Sequence, residues 1–99
     1  MSFRAKDLRV GDVVSKPNGF MDWPKWEHIV VRQNGEIVHT IFSNGMSDSS
    51  SRHGQAVIDG HDWMSIENMQ YCLEQPDTVV DRPTANGLVR VWPVEGADA

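Results

Sequence analysis

The sequence feature that most constrains the fold is a pair of β-type runs separated by Asn34-Gly35. The two runs read WEHIVVRQ and EIVHTIF. Asn-Gly between such runs is the strongest short-range signal for a hairpin, because a type I′ turn requires a positive φ at both central residues. The sequence therefore predicts a β-hairpin over residues 26–42, with Asn34 and Gly35 as its two-residue turn.

This turn also predicts which side chains share a face of the hairpin. It places Val31 opposite Val38 and Ile29 opposite Thr40, and side chains then alternate between the two faces. The predicted core face contains Ile29, Val31, Val38 and Phe42. The opposite face mixes apolar and titratable side chains, so we expect it to be covered by another element or presented to a partner. Its members are Trp26, His28, Val30, Arg32, Ile37, His39 and Ile41.

The rest of the chain predicts a mainly β fold with one short helix. Short β-type segments bounded by turn residues occur at residues 13–16, 55–58, 78–80 and 88–92. Apolar residues at helical spacing predict a helix from Asp62, as N-cap, to Leu73, with Trp63 in the core. The alternation of Met69, Tyr71 and Leu73 also fits a strand, so both interpretations of this segment stay open. The length of 99 residues suits a single domain, 1–99. Within it, the Ser- and Gly-rich residues 43–54 predict a mobile loop and residues 94–99 a flexible tail.

The order of these segments resembles that of small SH3-like barrel proteins, including many uncharacterised proteins of bacteriophages. The resemblance rests on the opening DLRVGDVV, with its L-x-x-G-D-V-V pattern, then a long loop, the central hairpin and the late strand DTVV. It implies a partly open antiparallel barrel built around the hairpin 26–42. It also implies a binding module without a fixed ligand, a phage accessory protein being one such role.

Composition excludes some classes of function and disfavours others. Nine basic and fourteen acidic residues give a net charge of −5, which opposes nonspecific binding to a phosphate backbone. A lone cysteine, Cys72, excludes an internal disulfide and favours a reducing compartment. No apolar run has the length of a signal peptide core or a membrane span. We therefore expect a cytoplasmic protein that does not contact membranes.

No motif in the sequence indicates catalysis or a metal. The four histidines lack the spacings of zinc sites, although His28 and His39 are predicted to be diagonal neighbours on one face. The serine-rich loop contains the residue types of a catalytic triad but no rigid scaffold for them. Cys72 lies in an apolar context typical of a buried structural thiol. We expect neither an enzyme nor a bound cofactor or metal.

An aromatic segment before the hairpin carries the functional prediction. Trp and other aromatic side chains are preferred anchors of protein interfaces, and they are concentrated here on a connecting segment. The leading hypothesis is a non-enzymatic module that binds a protein partner, or a second copy of itself, through this loop and the mixed hairpin face. Trp26 has an alternative role as a plug of the barrel end. The predicted partner-binding residues are Phe20, Met21, Trp23, Trp26, Arg32, Ile37 and His39.

Two other functions remain open from the sequence. A small-ligand or nucleotide-sequestering protein would stack a base on these aromatics and contact phosphate through Arg32 or Arg52. A protein that binds single-stranded nucleic acid would stack bases on a sheet face and show a steep salt dependence. The negative charge makes nucleic acid the less favoured partner.

Overall fold

The fold is an antiparallel sheet with one helix. The computed structural model describes residues 2–16, 26–43, 56–58 and 60–94. The mainly β class with one short helix, predicted from the sequence, is confirmed. The elements are a 3-10 turn at Ala5–Asp7, β1 at Val13–Lys16, β2 at Trp26–Gln33, β3 at Ile37–Ser43, β4 at Ala56–Ile58, β5 at His61–Ser65, α1 at Ile66–Leu73, β6 at Val79–Thr84 and β7 at Gly87–Trp92.

The described strands form one sheet in the order β4-β5-β3-β2-β1-β6-β7. All six pairings between neighbours are antiparallel, and β4 and β7 are the two edges. The helix α1 and the 3-10 turn pack on one side of this sheet, which we call the inner side. The core lies between them and includes Val14, Trp26, Val30, Val38, Met64, Met69, Leu73 and Val80.

The helix begins later than the sequence predicts. Residues 61–65 form β5, which is hydrogen-bonded between β3 and β4, so the local helical spacing is overridden by sheet pairing. The N-cap is Ser65, whose Oγ accepts a hydrogen bond from the Asn68 N–H at 3.0 Å. Asp62 is therefore not the N-cap. The prediction of Trp63 as a core residue was also wrong, because its side chain is 36% exposed.

The turn of the hairpin differs from the predicted type I′ turn. Only Gly35 has a positive φ, of 89°, and the strands end at Gln33 and resume at Ile37. The side-chain oxygen of Asn34 accepts hydrogen bonds from the N–H groups of Glu36 and Ile37, both at 2.9 Å. This bonding by asparagine stabilises a longer loop. Gln33 therefore pairs with Val38, and the predicted register was wrong.

A β-bulge between Val30 and Arg32 corrects the predicted faces further. Before the bulge, the side chains of Trp26, His28 and Val30 point into the core. An extra residue reverses the side on which the following residues lie, so Arg32 points outward and pairs with His39. The predicted core face is thus only half right. Val38 and Phe42 are buried, whereas Ile29 is exposed and Val31 is intermediate.

The Gly-Asp pair of the L-x-x-G-D-V-V pattern ties β1 to β6. Asp12 is fully buried and receives two hydrogen bonds from Arg82, from Nε at 2.9 Å and from Nη2 at 2.8 Å. Gly11 has a φ of 92°, and a Cβ there would lie 2.9 Å from Cγ of Pro83. This motif therefore has a structural role in the described fold.

Candidate functional site on the outer side of the sheet

The side of the sheet opposite α1 exposes a row of large apolar side chains. We call this surface the outer face; it spans β2, β3 and β5. Ile29 pairs with Ile41, and Ile41 pairs in turn with His61. Ile41 is 47% exposed, and Ile29, Ile37 and Trp63 are exposed to similar extents. Cross-strand partners lie about 5 Å apart, so these side chains form one contiguous patch.

Two imidazoles and an indole form the centre of the outer face. His39 and Trp63 are cross-strand partners whose rings stack, with centroids 4.5 Å apart and an interplanar angle of 14°. Nε2 of His39 lies 3.0 Å from Nδ1 of His61, which is a hydrogen bond when one of these nitrogens carries a proton and the ring that accepts it is neutral. This cluster holds the Trp63 ring in a fixed orientation at the surface.

The surroundings of His39 favour its neutral form. Burial lowers the pKa of the His39 imidazole below its ordinary value of 6.5, and the charges of His61 and Arg32 lower it further. At pH values between the lowered pKa of the folded protein and 6.5, the unfolded chain binds more protons than the folded protein. The free energy of unfolding therefore rises with pH in this window. The contribution of His39 is therefore complete above pH 6.5 and is lost as the pH falls through its folded-state pKa.

This shift predicts an acid sensitivity that a single substitution removes in part. We expect the free energy of unfolding to fall as the pH is lowered from 7 toward 5, and His39→Gln to make that fall shallower. Denaturant titrations at several pH values measure both slopes. Identical slopes for the two proteins would show that His39 does not titrate as described.

The predicted partner-binding residues are only partly brought together. Arg32, Ile37 and His39 lie on the outer face, as their assignment to the mixed face requires. Trp26 is 2% exposed and belongs to the core, which is the alternative role considered for it and leaves it no surface for a partner. Phe20, Met21 and Trp23 lie outside the described residues, so their role stays a prediction.

The buried polar groups form a structural cluster. His28 lies on the inner side, between the rings of Trp26 and Phe42, with Nδ1 2.6 Å from Oγ1 of Thr40 and 3.4 Å from Oδ2 of Asp62. All three polar residues are fully buried. His28 and His39 therefore do not share a face, contrary to the prediction. Within the described ranges, no three His, Cys, Asp or Glu residues converge on a common point.

The thiol of Cys72, the one cysteine of the chain, is buried. Burial and the neighbouring Asp62 charge raise the pKa of Cys72 to about 12, so the thiolate is negligible at neutral pH. This agrees with the expected structural thiol.

Two other predicted segments lie outside the described residues. They are the mobile loop beyond Ser43, which contains the serines, Arg52 and His53, and most of the flexible tail.

The sequence did not predict three members of the outer face: Ile29, His61 and Trp63. Ile41 was placed on the mixed face but was not among the predicted partner-binding residues. The alternation in HDWMS carried the signal, because Asp62 and Met64 point inward while His61, Trp63 and Ser65 point outward. That alternation competes with the helical spacing that begins at the same place.

Comparisons with protein families, curated proteins and solved structures gave no match. The resemblance to SH3-like barrels therefore stays a prediction. In the described part of the chain, the single helix α1 is far too short to cross a bilayer.

Proposed function

We propose that this protein is a non-enzymatic binding module that contacts a protein partner through the outer face. The observation that carries the proposal is the exposure of Ile29, Ile37, Ile41 and Trp63 on one side of three adjacent strands. Isolated exposed apolar residues are normal in proteins, but contiguous apolar patches are rare and mark interaction sites.

The composition of the patch favours a protein partner over a small molecule. Trp63 offers the large, rigid anchor that interface centres prefer, and its stacking on His39 reduces the entropy lost on binding. Arg32 lies beside His39 and adds a charged group next to the apolar centre. The patch is a sheet surface, whereas small ligands are usually bound in concave sites. The expected partner thus presents an apolar surface with a carboxylate near Arg32.

The proposal is tested with a variant that charges the centre of the patch. Ile41→Lys is expected to weaken partner binding by more than about fivefold, because it places a cation in an apolar contact. The wild-type chain and the variant are immobilised side by side and exposed to an extract of the native host. A protein that the wild type captures and Ile41→Lys does not is then purified. Its affinity for the wild-type chain and for the variant is measured by titration calorimetry.

Tyr71→Lys is the matched control for this experiment. Tyr71 is 56% exposed, but it lies on α1, away from the outer face. Tyr71→Lys introduces the same charge as Ile41→Lys at a similarly exposed site, and it should leave partner binding unchanged. Equal capture by all three chains would reject the outer face as the binding surface.

A further inference from the structure

The edge strand β7 has an unused hydrogen-bonding side. One side of β7 pairs with β6, and within the described ranges no strand pairs with the other. Its first half is well exposed, with Leu88 at 61% and Val89 at 48%. An edge of this kind presents backbone donors and acceptors that fit another extended chain.

The register with β6 identifies which backbone groups point outward. Pro83 has no N–H and is paired with Leu88, so this is a pair without hydrogen bonds between the strands. Pair types alternate along an antiparallel ladder, so Asp81 and Arg90 form a pair of the same type. The N–H and C=O groups of Leu88 and Arg90 therefore point away from β6, toward solvent.

The usual protections of an edge are weak in this segment. Natural edges carry lysines, prolines or bulges that oppose pairing with other chains. Between Gly87 and Arg90 the only charge is that of Arg90, whose Nε donates to Oδ1 of Asp81 at 2.7 Å. The bulge in this ladder lies beyond that segment, at the Val80/Asp81 step. The edge therefore remains suited to strand pairing.

We propose that β7 pairs antiparallel with β7 of a second copy of this chain, with Leu88 of each copy opposite Arg90 of the other. The outward N–H and C=O groups belong to Leu88 and Arg90, with Val89 between them. A two-fold axis at Val89 therefore matches every outward donor with an acceptor of the second copy. This gives four intermolecular hydrogen bonds. The register that places the two Arg90 residues opposite each other brings like charges together and is disfavoured. The pairing uses the edge of the sheet and is independent of the outer face.

A pair of charge variants tests both the association and its register. Sedimentation velocity of the full chain over a range of concentrations gives the dissociation constant of the dimer. Leu88→Lys places a cation opposite the second copy's Arg90, whereas Leu88→Glu places an anion there, at two symmetric positions. We expect the lysine variant to dimerise about tenfold more weakly than the glutamate variant. The exposure of Leu88 makes both substitutions compatible with the monomer fold.

A second pair of variants tests the backbone hydrogen bonds. Arg90→Pro removes one outward N–H without removing a backbone hydrogen bond to β6, and Arg90→Ala retains that N–H. Both variants lose the side-chain contact with Asp81, so they differ only in the backbone. Dimerisation is expected to be lost in the proline variant and retained in the alanine variant, with circular dichroism confirming the fold of each. A wild-type chain that sediments as a monomer at its highest soluble concentration would overturn the proposal. Equal dimerisation of Leu88→Lys and Leu88→Glu would also overturn it.

Discussion

Replacing Arg82 with alanine is expected to lower the free energy of unfolding by about 3 kcal/mol. Arg82 donates two hydrogen bonds to Asp12, which is fully buried, and a third to the carbonyl oxygen of Asp7. Removal of one partner of a buried ion pair leaves the other charge uncompensated. The Arg82 side chain is 22% exposed, so water enters part of the site and the effect lies at the lower end of the range for such pairs. Urea denaturation measures the loss.

A second arginine–aspartate pair provides the control. Arg90 contacts Asp81 at 2.7 Å, but the Arg90 side chain is 51% exposed. Arg90→Ala should therefore cost less than about 1 kcal/mol, as exposed ion pairs do. Equal losses in Arg82→Ala and Arg90→Ala would contradict a buried link between β1 and β6.

Replacing Trp26 with alanine is expected to cost about 3–5 kcal/mol of stability. Trp26 is almost completely buried, and its ring packs 4.4 Å from that of His28. Truncation of a buried aromatic residue removes its apolar contacts and leaves a cavity that the core fills only partly. The same denaturation experiment measures the effect.

Trp63→Ala is the matched substitution on the outer face. Its side chain is exposed on one side, so its removal opens no closed cavity and should cost less than half as much as Trp26→Ala. Similar losses for the two tryptophans would mean that both sides of the sheet are covered in solution.

The elements of this fold could be predicted from the sequence better than their register. β1 was predicted at its observed bounds, and the hairpin is present, because β-branched runs and turn residues act locally. The register depends on how Asn34 bonds the turn and on one extra residue in β2. Neither the three-residue loop nor the bulge leaves a distinct pattern in WEHIVVRQNGEIV, so the faces of β2 were assigned wrongly before the bulge and correctly after it.

The candidate site was predictable only where a single strand defined it. Ile37 and His39 follow each other at the spacing of one face of β3, so the sequence placed them together correctly. Trp63 and His61 belong to β5, but the spacing of apolar residues after Asp62 predicted a helix there. Their contact with His39 depends on a pairing between distant segments, and no local pattern encodes such a pairing.

One side of this sheet is packed as core and the other exposes apolar side chains, with Trp26 inward and Trp63 outward. Hydroxyl-radical footprinting of the intact protein, read by fragment mass spectrometry, compares the oxidation rates of these two tryptophans directly. We predict that Trp63 is oxidised several times faster than Trp26, following their exposures of 36% and 2%. Oxidation of Trp26 at the rate of Trp63 would contradict the assignment of the two faces and, with it, the proposed binding surface.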